Sequence, residues 1–400
     1  MPSSTSSSES AERLTASDRP GVAQPVPVRD IPAQPWRQIF LIAMLLSLLM
    51  TAAWEVYWRA SGATPGYRNS DDSWASQRLR IDRGDGAKTV LIGSSRVLFD
   101  VQLPVWQAVT GERPIQLALE GTSSLPVMED LADDPHFTGR LLVGVTPSLF
   151  FTGRAARVDT IAYARHQSPS QRSGQWLSQH VLEPWLAFYD ADYALPALVK
   201  RWPWPYRPGI HEPAAVRKLG VQDSDRNTRM WQRLETDAEY RNILRQGWAD
   251  RNAKRPSGYE RPEKRAELFR VQFERAQAAI TKLRRRGVRV VFLRAPSTAD
   301  FYQWEQRDFP RLESWEPLLK ATGVPGIHFE DYPQLQGYDS PEWSHLSASE
   351  ADRFTAALLP LVLKAFIEAP VAEPDVPLSG AGSHAGYMRE RTHIVMTQSY

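Results

Sequence analysis

The chain has 400 residues, 42% of them hydrophobic and 24% charged, which suits one catalytic-sized domain with a real core between polar ends. Its 48 basic and 46 acidic residues leave a net charge of +2, so nothing electrostatic points to nucleic acid. Cysteine is absent, which excludes disulfides, thiolate nucleophiles and Cys-based metal sites but leaves the compartment open.

Residues 1–36 are rich in Ser, Ala and Pro with no apolar period and read as a disordered tail. Residues 37–59 follow, apolar on all sides from Ile39 to Trp54, with Arg37 and Arg59 as brackets and Trp36, Trp54, Tyr57 and Trp58 near the ends. Gln38 to Trp58 as a helix measures about 31 Å, one hydrocarbon core. A cleaved signal peptide ending near Thr51-Ala52-Ala53 competes with this reading. The long polar region ahead of it favours an uncleaved, single-pass anchor. The main domain is expected outside the cytoplasm, although the arginine bias across the flanks is slight.

From about residue 70 to 366 the pattern is α/β. Strands are expected at 89–93, 114–121 and 141–145, with helices through 105–109 (stopped by Gly111) and near 125–132. Strands alternating with helices predict a parallel sheet covered on both faces. Residues 152–260 break the rhythm and read as a helical insertion or a lid, with Arg201-Trp-Pro-Trp-Pro-Tyr206 as its most distinctive piece. Its Trp and Tyr faces suit packing, sugar stacking or membrane proximity.

The α/β pattern resumes at Pro262, where Phe269, Phe273, Ala276, Ile280 and Leu283 make a core-facing helical stripe. Lys282 and Arg284–Arg286 in its last turn read as a helix end, not an anion site. A strand at 289–293, a helix near 311–320 and a strand at 326–330 follow. Ser347 and Glu350 predict a capping box for a helix from Ala348 to Phe366. Residues 367–400 read as a second disordered tail.

No nucleotide loop, zinc signature or G-x-S-x-G elbow is present, and neither a cofactor nor a metal is expected. Chemistry is concentrated in Gly93-Ser94-Ser95-Arg96 after the first strand and Glu342-Trp-Ser-His345 before the last helix. Acyl chemistry needs a hydroxyl, an imidazole, an orienting carboxylate and oxyanion donors, and each has a candidate here. His328 reads as packed in a strand. His136, His166, His180 and His211 have no partner at meaningful spacing and read as surface residues, while His384 and His393 fall in the tail.

First-strand Gly-x-Ser, a second-strand Gly and a Ser-His pair near the last helix together resemble the SGNH/GDSL hydrolase superfamily over about residues 88–150 and 262–366. With the anchor, the chain looks most like membrane-bound SGNH-like proteins of bacterial cell-envelope acyl transfer. The resemblance implies a flavodoxin-like three-layer α/β/α sandwich. It makes Ser95 the nucleophile, with Ser94 where the hydrolases usually have Asp. It makes His345 the general base and Glu342 the orienting carboxylate, with Asp339 as the fallback. Gly121 and the Ser95 backbone become oxyanion donors. Gly144-Val-Thr146-Pro147 lacks the family's third-block Asn, and Thr146 stands in its place.

Arg96 and Arg294, both at strand ends, are candidates for an anionic substrate group or for ion pairs with Asp100, Glu305 or other rim carboxylates. The implied function is an extracytoplasmic esterase or O-acyltransferase, anchored by a single pass in a bacterial inner (cytoplasmic) membrane with its main domain facing the periplasm or cell exterior. Its implied partners are the membrane, a multi-spanning membrane acyltransferase and an envelope polysaccharide. The alternative is a non-catalytic member that binds polysaccharide or scaffolds an envelope assembly complex.

Overall fold

A computed structural model describes residues 34–201, 218–253 and 261–371. The expected leading tail up to residue 33, the Trp202–Tyr206 stretch, His211 and the trailing tail from residue 372 lie outside the described residues. By its contacts the chain divides into Met1–Tyr57 and Trp58–Tyr400.

The first unit holds most of the helix Trp36–Ala60, none of whose residues is buried. It is long and apolar enough to cross a membrane.

Seven strands occur among the described residues of the second unit: β1 (Thr89–Ile92), β2 (Ile115–Gln116), β3 (Arg140–Gly144), β4 (Gly220–Gln222), β5 (Thr228–Met230), β6 (Arg289–Arg294) and β7 (Gly326–His328). Five of them form one sheet in the order β2-β1-β3-β6-β7. Every pairing in that sheet is parallel, with Leu91 opposite Leu142 and Leu142 opposite Val291. The order reverses direction at β1 and β3, so their carboxyl ends flank a crevice of the kind in which open α/β sheets bind ligands.

Alternation along the strands divides the core in two. Val90, Ile92, Val143 and Phe292 face one way and pack with Trp74, Met128, Phe269 and Ile280. Leu91, Leu142, Val291 and Leu293 face the other and pack with Leu98, Trp106, Phe354 and Leu358. Helices therefore cover both faces, as the unbroken apolar runs of the strands require. The stripe on the helix Pro262–Arg285 is buried as expected, except that Phe273 is only partly covered.

Several local expectations change. The second strand is short, although Leu117 and Leu119 still donate to the carbonyls of Leu91 and Gly93, which carries the chain alongside β1. An unforeseen helix, Ala299–Asp308, precedes Trp315–Thr322, and β7 gives way at Phe329 to a tight 3-10 turn. The capping box does not form: Ser347 makes no side-chain cap, Glu350 pairs with Arg353, and Glu235 accepts from the Ala348 nitrogen. His136 is exposed as expected but has a partner, with Nδ1 3.1 Å from Asp134. The 152–260 segment is built, among the described residues, from helices such as Asp159–His166 and Ala238–Ala253 and the antiparallel β4–β5 hairpin.

Candidate active site

β1 runs out at Gly93, and a six-residue helix, Ser95–Asp100, begins almost at once. Two glycines let its first turn sit down on the strand ends. A Cβ on Gly93 would come within 2.5 Å of Val97 Cγ2, and one on Gly144 within 2.1 Å of the same methyl. Ser94 holds the cap position without capping. Its Oγ lies 2.5 Å from Thr146 Oγ1 instead, joining the ends of β1 and β3. The first N–H groups of the helix, that of Ser95 included, have no acceptor within it.

The far end of this helix holds the histidine loop. Asp100 Oδ1 accepts from the backbone nitrogen of Leu346 at 3.0 Å, and the Thr355 hydroxyl donates to the Asp100 carbonyl. Phe99 lies one helical turn beyond Ser95, on the same face. Its ring centroid is 4.7 Å from that of His345. Ser95, Phe99 and His345 all line one cavity of about 1920 Å³.

Within the loop, Glu342 Oε1 accepts from the His345 backbone nitrogen and lies 2.7 Å from His345 Nδ1. Glu342 Oε2 accepts from Trp248 Nε1 at 2.5 Å. Glu342 and His345 are 0% and 1% exposed. A carboxylate against Nδ1 makes that nitrogen the donor, which leaves Nε2 of the neutral ring as an acceptor. Nε2 is buried with no hydrogen-bond partner among the described residues, a costly arrangement unless something fills the position. Asp339, the fallback carboxylate, is exposed, and its carbonyl serves Ser347.

Charge tunes these groups. Burial disfavours the His345 imidazolium, but the charge and hydrogen bond of Glu342, with Asp100 behind them, outweigh it and lift His345 above its ordinary 6.5. Burial pushes Asp100 up to about 7, against the pull of His345, the Leu346 N–H and Arg96.

Gly121 and Thr146 line the same cavity as Ser95. Gly121 has φ 61°, while a side chain there would meet nothing within 4 Å, so backbone conformation and not space favours glycine. The two strand-end arginines divide. Arg96 lines the cavity, whereas Arg294 does not, and both guanidiniums reach the buried Glu305 carboxylate at 3.0 and 2.8 Å. Arg294 also donates to Ala295 O and Ser297 Oγ, so its donors serve the protein and not a substrate. Burial would raise Glu305, yet the two cations hold it below the usual carboxylate range.

One residue of this constellation escaped the sequence reading, and a second, Asp100, was read only as an ion-pair candidate for the strand-end arginines. Trp248 belongs to the inserted segment and carried no signal. Asp100 did carry one: a charged residue between Phe99 and Val101 in an apolar run is rarely buried without a task. Outside the cavity, Asp82, Asp134 and His136 bring metal-type ligand atoms within 4.8 Å of one another. Arg78 already pairs with both of those aspartates.

The chain matches no protein-family model and no curated protein sequence.

Proposed function

We propose that this protein is a membrane-anchored serine esterase or O-acyltransferase of the SGNH type, acting outside the cytoplasm on an ester of a cell-envelope glycan. The observation that carries the reading is the buried, unpartnered Nε2 of His345 in the cavity that Ser95 lines, with Glu342 fixed on the opposite ring nitrogen. In chain order the main sheet reads 2-1-3-4-5, the flavodoxin-like order, which supports the family likeness. The exposed apolar helix Trp36–Ala60 supports a single-pass anchor.

In the proposed reaction Ser95 Oγ attacks the acyl carbon while its proton passes to His345 Nε2. The tetrahedral oxyanion draws on the Ser95 and Gly121 N–H groups and the Thr146 hydroxyl. Collapse breaks the ester bond, and the departing alcohol takes the proton back from His345. Water or a glycan hydroxyl then attacks the acyl-enzyme, giving its proton to His345, and Ser95 leaves reprotonated. Losing one oxyanion donor costs about 3 kcal/mol in such sites, so a hydroxyl in place of an amide predicts a slow enzyme.

A serine-directed phosphonate should label the purified protein at Ser95, with labelling lost in Ser95→Ala and His345→Ala. Wild-type protein that resists the probe overturns the catalytic reading. It leaves a non-catalytic polysaccharide-binding or scaffolding role, to which a multi-spanning acyltransferase partner would be equally suited.

A further inference from the structure

Three arginines of the cavity wall, Arg68, Arg154 and Arg251, make no ion pair with a carboxylate among the described residues. Other wall residues are paired, Lys218 with Asp190, Arg96 with Glu305 and Glu120 with Arg157. Arg68 lies over the Tyr189 ring, and Asp192, Glu239 and Asp250 add carboxylates to the same wall. The Arg154 and Arg251 guanidiniums also feel each other. Burial, and then the charge of Arg154, push Arg251 below its ordinary range.

Each is tied to a different part of the candidate site. The Arg154 carbonyl accepts from the Ser123 nitrogen at 2.6 Å, and Ala155 bridges to Thr122, so Arg154 is tied to the loop that follows Gly121. The Arg251 guanidinium lies 4.7 Å from the centre of the Trp248 ring, and Trp248 donates to the carboxylate that holds His345.

We propose that Arg154 and Arg251 form an anion subsite, which takes a carboxylate or phosphate carried by the substrate close to its ester. The inference rests on the esterase or acyltransferase reading of the same cavity. Planar guanidinium forks suit both anions, because each offers paired oxygens to parallel N–H donors. An anion between them also relieves the mutual repulsion of two cations that pair with no carboxylate among the described residues. An acidic sugar or a sugar phosphate fits that chemistry, and a neutral glycan leaves both charges unmatched.

The test is equilibrium binding by full-length Ser95→Ala protein in detergent, so that turnover plays no part. The probes are methyl glucuronide, glucose 6-phosphate and neutral methyl glucoside at low salt. The expected result is an anion preference of about tenfold or more, weakened by added salt, and the better of the two anions names the source. Arg154→Gln/Arg251→Gln should abolish the preference, the double Lys variant should keep part of it, and Arg270→Gln, outside the cavity, should keep all of it. Thermal melting checks that each variant is folded. Equal binding of all three probes, no binding of either anion, or a preference retained by the double Gln variant overturns the subsite. Phosphonate labelling at Ser95 is read separately, so failure of the subsite and failure of the catalytic reading are distinguishable.

Discussion

Glu342 Oε1 takes both hydrogen bonds that His345 directs at it, from the backbone nitrogen and from ring Nδ1, each at 2.7 Å. One oxygen atom thereby fixes the loop backbone, the ring plane and the tautomer. In the proposed reaction the same carboxylate stabilises the imidazolium that forms when Ser95 gives up its proton.

Replacing Glu342 by Gln removes that charge. The raised His345 value depends on it, so the pH midpoint for Ser95 labelling should start above 6.5 in the wild type and fall in Glu342→Gln. The labelling rate at neutral pH should drop by roughly 10²- to 10⁴-fold, the range seen when a triad carboxylate is neutralised. Asp339→Asn should stay within about twofold of wild type, since that side chain is exposed and its carbonyl is the group in use. An unmoved midpoint in Glu342→Gln, or a large loss in Asp339→Asn, would reassign the carboxylate.

Trp248 reaches the same carboxylate from the inserted segment, 94 residues earlier in the chain. Trp248→Phe keeps an aromatic ring against Phe301 and deletes the indole N–H. The unpaired Oε2 should cost about 1–3 kcal/mol of stability. A merely structural tryptophan would do no more than that. A positioning residue should also shift the labelling midpoint, here upward, because the carboxylate loses a competing donor and holds the imidazolium more strongly. A melting change with an unchanged pH profile would reduce Trp248 to packing.

How much of this was legible in the sequence follows from where each signal comes from. β1, β3 and β6 are buried on both faces and therefore show as plain apolar runs, which gave the sheet and the position of Ser95. The helix Ala299–Asp308 was invisible because its buried residues are Glu305 and Asp308, while its Phe301 and Trp304 line the cavity. Hydrophobic periodicity has nothing to detect there. The six-residue helix after β1 is too short to show a period. The choice between Glu342 and Asp339 needed the fold of the loop, since both lie at plausible spacing from His345. The contacts of Trp248, Arg154 and Arg251 with the site span long loops, and a single sequence carries no record of them.

Asp100 should make stability depend on pH. Its folded value of about 7 against an ordinary 3.8 means that the native chain keeps a proton that the unfolded chain has released between those limits. Unfolding then releases a proton, and stability falls as pH rises from about 4 to about 7, by up to about 1.4 kcal/mol per pH unit. His345 acts in the same direction: its raised value gives stability that is complete at low pH and lost as pH climbs through the folded value. Asp100→Asn keeps an acceptor for the Leu346 nitrogen and removes the Asp100 part, so its melting temperature should change less between about pH 5 and pH 7 than that of the wild type. Parallel curves for the two proteins would mean that Asp100 is ionised in the folded state.

The seat of the helix Ser95–Asp100 offers the most direct test of why Ser95 stands where it does. Gly144→Ala would drive its Cβ to 2.1 Å from Val97 Cγ2, so either β3 or the helix Ser95–Asp100 must shift. Overpacking of this kind typically costs about 1–3 kcal/mol. Val97→Ala alone should also destabilise, by removing buried methyl groups from the core on that face. Together the two changes should cost clearly less than their sum, because the alanine at 97 vacates the space that the new Cβ needs. Ser95 labelling should follow the same cycle: slowed in Gly144→Ala and partly restored in the double variant. Simple additivity, in stability and in labelling, would show that the close approach of Val97 to Gly144 does not set the position of the serine.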